Sequence, residues 1–188
     1  AGDEGRALES KVVALLGDSD LGMIGPNTFG FANMLNGLTV RLFPAPRMTL
    51  IEAKPRSAVA VLGQSGGLVA SVFQTLQAHG IPVAYNAATG NELGLDICDF
   101  LEFFVADETV GSVVVYAEHI KRPGTFLDIA RRAREAGKHI VMMHPGRSAK
   151  GAAAFQSHTG ALAGDYALMR TIIDAAGILT VDSIDALS

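Results

Sequence analysis

The sequence predicts a doubly wound α/β domain built on a parallel β-sheet, and three observations lead to that prediction. Short, continuously apolar runs recur from residue 58 onward, as expected for strands that are buried on both faces. Segments with helical apolar spacing separate these runs, which is the order of βαβ units. Hydrophobic residues make up 49% of the 188 residues and 21 are glycine, which suits a covered sheet with many tight turns.

The first 57 residues do not follow this alternation. Residues 3–16 have apolar side chains at helical spacing, ending at Gly17, and Leu21–Ile24 is predicted to be a short buried strand. One helix and one strand cannot enclose a core, so we expect residues 1–37 to be the remnant of a preceding α/β domain in a longer protein. Residues 38–57 hold three prolines around two short strand-like runs, which is typical of a connector.

From residue 58 the pattern predicts strands and helices in regular alternation. The strands are buried runs of four or five residues, and the helices are amphipathic segments of nine to fifteen residues. The predicted strands are Ala58–Leu62, Pro82–Asn86, Val113–Ala117, His139–Met143 and Ile178–Val181. The predicted helices are Leu68–His79, Ile97–Val105, Phe126–Ala136 and Leu162–Ala176.

Composition excludes several classes of function. Fifteen basic and nineteen acidic residues give a formal charge of −4 without a basic stripe, so nucleic acid is not an expected partner. Cys98 is the only cysteine, which excludes disulfide scaffolds and cysteine zinc sites and favours a reducing cytoplasm. The apolar runs have strand length, so no membrane contact is expected. No histidine pair has metal-ligand spacing, so we predict no bound transition metal.

A glycine-rich loop follows the first strand of the regular alternation. Gly63-Gln64-Ser65-Gly66-Gly67 leads directly into a predicted helix, so its free amides and the positive helix end can bind a phosphate, with Ser65 as a further donor. A tight strand-to-helix turn explains the glycines equally simply. The loop matches neither the nucleoside triphosphate loop nor the dinucleotide fingerprint.

Glu118 comes directly after the apolar strand Val113–Ala117, so its carboxylate is expected at the sheet edge where ligands bind in open parallel sheets. There it can accept a hydrogen bond from one nitrogen of an imidazole ring, which leaves the other nitrogen free to attack phosphorus. A solvated glutamate that pairs with Lys121 or Arg122 is the alternative.

His158 is set among small residues in Ser-His-Thr-Gly-Ala-Leu-Ala-Gly, residues 157–164. Small neighbours leave its imidazole accessible, and Gly160 allows backbone amides to approach an anion. We therefore expect His158 to carry a transient phosphoryl group. His79, at a helix end, and His119 and His139, beside strands, are predicted to be surface residues, and His144 is a minor candidate at the sheet edge.

Five motifs occur together along the chain. They are Gly-Pro-Asn-Thr-x-Gly at 25–30, Gln-Ser-Gly-Gly at 64–67, Thr-Gly-Asn-Glu at 89–92, Tyr-x-Glu at 116–118 and the histidine octet at 157–164. In this order they resemble the NDP-forming acyl-CoA synthetases of the ADP-forming acetate–CoA ligase type, which are relatives of the succinyl-CoA synthetase α subunit. The resemblance extends over about the whole chain.

The resemblance implies a succinyl-CoA synthetase-like flavodoxin domain over residues 58–188, a connector over 38–57 and the end of a Rossmann-like CoA-binding domain over 1–37. It implies that an acyl phosphate forms, that CoA displaces the phosphate, and that the phosphate passes reversibly to a histidine. The phosphohistidine then phosphorylates ADP at an ATP-grasp domain or subunit.

CoA and ATP or ADP with Mg²⁺ are, on this resemblance, substrates of the full-length enzyme, together with a carboxylic acid or acyl-CoA and phosphate. We expect this chain alone to hold no tightly bound cofactor and to be inactive, and a homo-oligomer is compatible with it.

The resemblance also implies a role for individual residues. His158 is the phosphorylated residue and Glu118 its partner. The residues implied to bind the phosphoryl group are Gln64, Ser65, Gly66, Gly67, Thr159 and Gly160. Asn27 and Thr28 are implied to lie near the thioester. Two positions depart from the family pattern, because Thr28 replaces a common cysteine and Gly63 replaces a common serine.

Two other functions remain open from the sequence. Gly63-Gln64-Ser65-Gly66-Gly67 fits the nucleophile elbow of a serine hydrolase, in which Ser65, His158 and Asp128 would form the triad. Alternatively, the chain is a non-catalytic module that only binds an acyl-CoA or supports oligomerisation, since fold resemblance does not secure activity.

Overall fold

The computed structural model describes residues 2–42, 50–145, 166–183 and 186, and the side chains of residues 166–169 lie outside that description. The described helices are α1 (Asp3–Gly17), α2 (Gly66–Ala78), α3 (Ile97–Ala106), α4 (Pro123–Glu135) and α5 (Tyr166–Ala175). The described strands are β1 (Gly30–Asn33), β2 (Thr39–Arg41), β3 (Ala58–Gly63), β4 (Val83–Ala88), β5 (Val110–Tyr116), β6 (His139–Met143) and β7 (Leu179–Val181).

The described strands form one seven-stranded sheet in the order β2-β1-β4-β3-β5-β6-β7. The five strands from β3 to β7 run parallel to one another. The chain leaves β3 for β4 on one side and then returns to β5 on the other side. Strand order therefore reverses between β3 and β5, and ligands bind at such a switch point in open α/β sheets. The predicted doubly wound sheet is confirmed.

The segment before β3 differs from the prediction. Leu21–Ile24 is not a strand; it is held to the loop after β4 by a hydrogen bond from the Leu95 amide to the Met23 carbonyl, 2.7 Å. The strand lies later, at β1, which pairs antiparallel with β4 and with β2. This antiparallel extension was missed because β1 is only four residues long and follows a glycine-proline turn.

Helices cover both faces of the sheet, as continuously apolar strands require. One buried cluster combines the sheet with α3 and α4, including Leu101, Phe104, Phe126 and Ile129. The other combines it with α2, through residues such as Val72 and Phe73. No helix in the described part of the chain is both long and apolar enough to cross a membrane.

The beginning of α3 is fixed by reciprocal hydrogen bonds. The Asp96 side chain accepts from the Cys98 amide at 2.7 Å, and the Asp99 side chain accepts from the Asp96 amide at 2.9 Å, which completes a capping box. Arg122, just before α4, forms ion pairs with both carboxylates. Although burial opposes it, the hydrogen bonds from Arg122 hold the pKa of Asp96 below its usual range. Arg122 therefore ties the N-terminus of α4 to the N-terminus of α3.

Replacing Phe104 by alanine tests the core between α3 and the sheet. Phe104 is 2% exposed and stacks on Tyr85 with 5.0 Å between ring centroids. We expect Phe104→Ala to lower the opening free energy of β4 amides by about 3–5 kcal/mol, because a buried aromatic ring leaves a cavity. Hydrogen exchange on the full-length protein measures this value. Phe103→Ala is the control, since Phe103 is 54% exposed, and an equal effect of the two changes would contradict this packing.

Candidate functional site

The side chain of Gln64 links the ends of β3 and β5 at the switch point. Its Oε1 accepts hydrogen bonds from the backbone amides of Glu118, 2.7 Å, and His119, 3.1 Å. Its Nε2 donates to the carbonyl of His119 at 2.9 Å. Gln64 is 5% exposed, so these bonds lie away from water and hold the backbone after β5 in one position.

These bonds change the role that can be given to Gln64. Its backbone amide donates to the carbonyl of Tyr116, the last residue of β5, at 3.2 Å, so the main chain of Gln64 binds the end of β5 and its side chain binds the segment that follows. The predicted contact between Gln64 and a phosphoryl group stays a prediction. What the described contacts support is a positioning role, in which Gln64 fixes the place of Glu118.

The N-terminus of α2 lies beside this link. Ser65 is the N-cap, has extended backbone geometry, and makes no capping hydrogen bond with its side chain. The first amides of a helix have no intrahelical acceptor and carry the positive end of the helix dipole. The Ser65 hydroxyl and the amides of Gly66 and Gly67 are therefore suited to bind a phosphoryl group.

The two glycines of this turn have different structural reasons. A Cβ at Gly66 would lie 2.6 Å from Cγ of Phe29, so the close approach of Phe29 requires glycine there. A Cβ at Gly67 would meet nothing within 4 Å, so packing does not require that glycine. Packing against Phe29 thus accounts for Gly66, while Gly67 leaves room beside the first turn of α2.

Glu118 is partly buried at the same edge of the sheet. The sequence left open an ion pair with Lys121 or Arg122, and the structure gives both cations other oxygen partners. Lys121 Nζ donates to the backbone carbonyls of Asn91, at 3.4 Å, and Glu92. Arg122 forms ion pairs with Asp96 and Asp99, the two carboxylates of the α3 capping box. This weakens the alternative of a solvated glutamate held by these cations.

A buried carboxylate, which the sequence analysis did not single out, lies next to this site. Glu92 is 2% exposed, and its Oε1 accepts hydrogen bonds from Thr89 Oγ1 at 2.9 Å and from the Ile97 amide at 3.0 Å. Its Oε2 lies 3.5 Å from Nε2 of His119. Gln64, Thr89, Glu92, Glu118 and His119 together are called the edge cluster below.

His119 is not the surface residue that the sequence predicted. Its ring is partly buried in the edge cluster, and its Nδ1 is buried without a hydrogen-bond partner among the described residues. His79 and His139 are exposed, as predicted. The Thr-Gly-Asn-Glu motif was a signal for Glu92, but nothing in the local pattern places the loop after β4 against the loop after β5.

Burial favours the neutral forms of Glu92 and His119 in the edge cluster, and of the neighbouring His144. It raises the pKa of the Glu92 carboxyl, and interactions with Gln64 and Thr89 only partly offset the shift. Burial lowers the pKa of His119, and the nearby charge of Lys121 lowers it further. Burial also lowers the pKa of His144, against the opposing effect of its hydrogen bond with the Ala117 carbonyl. Both imidazoles are therefore favoured in the neutral form.

The turn with Asn27 and Thr28 packs on the loop after β4. Asn27 Nδ2 donates to Asn91 Oδ1 at 3.3 Å, and the Thr28 hydroxyl donates to the Ala88 carbonyl while accepting from the Gly30 amide at 2.9 Å. Asn27 is exposed, whereas the Thr28 hydroxyl is engaged within the turn. Their predicted position near a thioester stays a prediction.

The predicted nucleophile lies outside the described residues, as do Thr159 and Gly160, so the structure does not report on His158. Asp128, the acid of the hydrolase alternative, lies on α4. Its carboxylate is 73% exposed and 3.8 Å from Arg131 on the same helix, so the described contacts do not connect it with the edge cluster. The hydrolase alternative therefore gains no support.

Comparison with known proteins identifies the family. Residues 56–188 match the succinyl-CoA ligase-like flavodoxin domain. The chain belongs to this family. Its flavodoxin-like fold agrees with the strand order of the parallel sheet described above.

The relatives are CoA ligases. The chain is 35% identical over 188 residues to trans-feruloyl-CoA synthase FCS1 of an unknown prokaryotic organism, covering 100% of this chain and 26% of that protein. It is 29% identical to acetate–CoA ligase (ADP-forming) I of Archaeoglobus fulgidus, again over 100% of this chain and 26% of the relative. The chain thus spans about a quarter of the length of these curated relatives.

A solved structure agrees with this family. The dinucleotide-forming acetyl-coenzyme A synthetase 1 of Ca. Korarchaeum cryptofilum, in complex with phosphate and ADP, superimposes with a TM-score of 0.82 and 29% identity. The match covers 95% of this chain and 37% of that one.

Removing the Gln64 amide tests the link between β3 and β5. We expect Gln64→Leu to speed hydrogen exchange at the Glu118 and His119 amides by about tenfold or more, because each net hydrogen bond contributes about 1 kcal/mol. Exchange is measured on the full-length protein. Gln74→Leu, on the exposed side of α2, is the matched control and should leave both amides protected. Unchanged protection in Gln64→Leu would refute the link.

The protonation of Glu92 provides a second test. Because burial raises its pKa, the Glu92 carboxyl should titrate above the ordinary glutamate range as the pH is lowered. Carbon-13 NMR of selectively labelled glutamate measures the midpoint, and the signal is assigned by its loss in Glu92→Gln. A midpoint at or below the ordinary value would contradict the described burial.

Proposed function

We propose that this chain is the phosphohistidine-bearing domain of an NDP-forming acyl-CoA synthetase, with His158 as the nucleophile and Glu118 as its partner. Membership in the succinyl-CoA ligase-like flavodoxin family and the names of the relatives, which are ADP-forming CoA ligases, support the reaction class. Further domains or subunits supply the rest of the enzyme, since the chain spans about a quarter of its relatives.

One observation carries the proposal. At the switch point, the N-terminus of α2 and the carboxylate-bearing segment after β5 are joined through Gln64. The first supplies amides and a positive dipole end for a phosphoryl group, which brings about −1.5 to −2 charges at neutral pH. The second supplies Glu118, a carboxylate that can orient an imidazole. A phosphorylated histidine needs both kinds of group.

The proposed reaction is transfer of a phosphoryl group to and from His158. A lone pair on one imidazole nitrogen of His158 attacks phosphorus of an acyl phosphate, the bond from phosphorus to the acyl oxygen breaks, and the carboxylate leaves with the electron pair. Glu118 accepts a hydrogen bond from the other ring nitrogen and stabilises the positive charge that the ring acquires. Transfer of the phosphoryl group to ADP restores the neutral ring. In the reverse direction the carboxylate takes the phosphoryl group from the phosphohistidine, and the CoA thiol then attacks the acyl carbon and displaces phosphate to form the thioester.

The remaining parts of the proposal concern the full-length enzyme. CoA and ATP or ADP are its substrates, and Mg²⁺ accompanies the nucleotide at an ATP-grasp domain or subunit. Residues 1–37 form the end of a CoA-binding domain and 38–57 the connector to residues 58–188, and strands β1 and β2 of these two segments extend the sheet of residues 58–188. Asn27 and Thr28 lie near the thioester. The enzyme acts in the cytoplasm, for which the single cysteine is the sequence argument.

Labelling with ATP tests the proposal directly. The full-length enzyme incubated with γ-³²P-ATP should gain an acid-labile, base-stable label that maps to His158. His158→Ala should lose the label and the NDP-dependent formation of acyl-CoA. His139→Ala is the matched control, because His139 is an exposed histidine at the start of β6, and should retain both.

Two outcomes would overturn the proposal. Normal turnover by His158→Ala would make the domain a passive binding module. Reaction of Ser65 with a fluorophosphonate, in an enzyme that carries no histidine label, would instead favour the hydrolase alternative.

A further inference from the structure

Glu92 combines two features that a fold ordinarily avoids. Its carboxylate is almost completely buried, at 2% exposure, and burying a charge is costly unless it is well paired. Its backbone is left-handed, with φ of 57°, a conformation that side-chain-bearing residues rarely adopt. Unfavourable conformations of this kind persist where the surrounding structure imposes them, often near functional sites.

The beginning of α3 does not depend on the Glu92 carboxylate, although the two are in contact. Its Oε1 accepts from the first amide of α3, at Ile97. However, α3 already has a complete capping box formed by Asp96 and Asp99, and Arg122 binds both of those carboxylates. A neutral residue at position 92 would therefore leave the beginning of α3 capped.

The other side of the Glu92 carboxylate faces the segment that bears Glu118. Its Oε2 lies 3.5 Å from His119 Nε2, and the Gln64 amide interacts with the same carboxylate. Both neighbours are connected to the segment that bears Glu118. Gln64 forms hydrogen bonds with the backbone on either side of the Glu118–His119 peptide, and His119 directly follows Glu118 in the chain. Fixing Gln64 and the His119 ring thus fixes Glu118.

We propose that Glu92 is a positioning residue that holds Glu118 in place for phosphoryl transfer, acting through Gln64 and the ring of His119. This inference rests on the proposed function. Nε2 of His119 lies 3.5 Å from one carboxylate oxygen of Glu92, while Thr89 and Ile97 donate hydrogen bonds to the other oxygen. The carboxylate thereby orients the amide of Gln64 and one ring of the segment after β5, without touching the substrate itself.

Glu92→Gln is the most informative change, because it keeps the volume and one oxygen acceptor but replaces the other oxygen by a donor. We expect the single-turnover rate of His158 phosphorylation by ATP in the full-length enzyme to fall about 10- to 100-fold, with the half-saturating ATP concentration unchanged. We also expect a shifted ³¹P resonance of the phosphohistidine. Glu108→Gln is the control, since Glu108 is exposed and lies before β5, and should behave as the wild type.

A double-variant cycle tests the route of the effect. If Glu92 acts through Gln64, the rate of Glu92→Gln combined with Gln64→Leu should be close to that of the slower single variant. If Glu92→Gln does not fold, Thr89→Val takes its place, because it removes one hydrogen bond to Glu92 with little change of shape. A smaller rate loss, about threefold to tenfold, is then expected.

The outcomes separate the two proposals. A wild type that is labelled at His158, together with a Glu92→Gln enzyme of unchanged rate and ³¹P resonance, overturns the positioning role alone. Strictly additive losses in the cycle also overturn it. A raised half-saturating ATP concentration with an unchanged maximal rate would show a binding defect and contradict positioning. A wild type without label at His158 overturns the proposed function and this inference together.

Discussion

The arrangement of the site depends on one side chain, the buried amide of Gln64. In a parallel sheet, the ends of neighbouring strands lie side by side, but the loops that follow them are free to diverge. Gln64 removes this freedom at the switch point by pairing with the backbone on both sides of the Glu118–His119 peptide. Because α2 begins two residues after Gln64, the same link sets the position of Glu118 relative to the N-terminus of that helix. The N-terminus of α2 and the segment that bears the Glu118 carboxylate are thereby held in a fixed relation.

Further polar contacts extend this link across the carboxyl ends of the strands. Thr89 and Glu92 connect the loop after β4 with the beginning of α3, and His144, after β6, bonds with the carbonyl of Ala117. Each buried polar group is costly unless its hydrogen bonds are made, and a satisfied network is correspondingly rigid. Within the edge cluster the exception is Nδ1 of His119, which is buried without a hydrogen-bond partner among the described residues. A rigid edge suits a site in which the carboxylate of Glu118 must keep a fixed position and orientation.

The sequence predicted the parallel sheet well, because strands buried on both faces are continuously apolar and the helices between them are amphipathic. It failed where pairing decided the structure. Strand β1 is defined by its contact with β4, and Leu21–Ile24 has apolar residues but no strand to pair with. The positions of the site residues were likewise predictable only in part. Ser65 and Glu118 follow strands and lie at the edge of the sheet, where that pattern predicts them, whereas the burial of Glu92 and His119 results from contacts between loops about thirty residues apart. Gly66 had been assigned to phosphate binding, and Phe29 provides a packing reason that the local pattern does not contain.

The proposed site brings two groups to the phosphorylated imidazole of His158: the N-terminus of α2 binds the phosphoryl group, and the carboxylate of Glu118 binds the second ring nitrogen. A crystal structure of the phosphorylated full-length enzyme tests it most directly. We expect phosphoryl oxygens at about 3 Å from the amides of Gly66 and Gly67, and a Glu118 oxygen at hydrogen-bond distance, also about 3 Å, from the second ring nitrogen of His158. A phosphoryl group bound elsewhere, or a Glu118 carboxylate that does not reach the ring, would contradict the account.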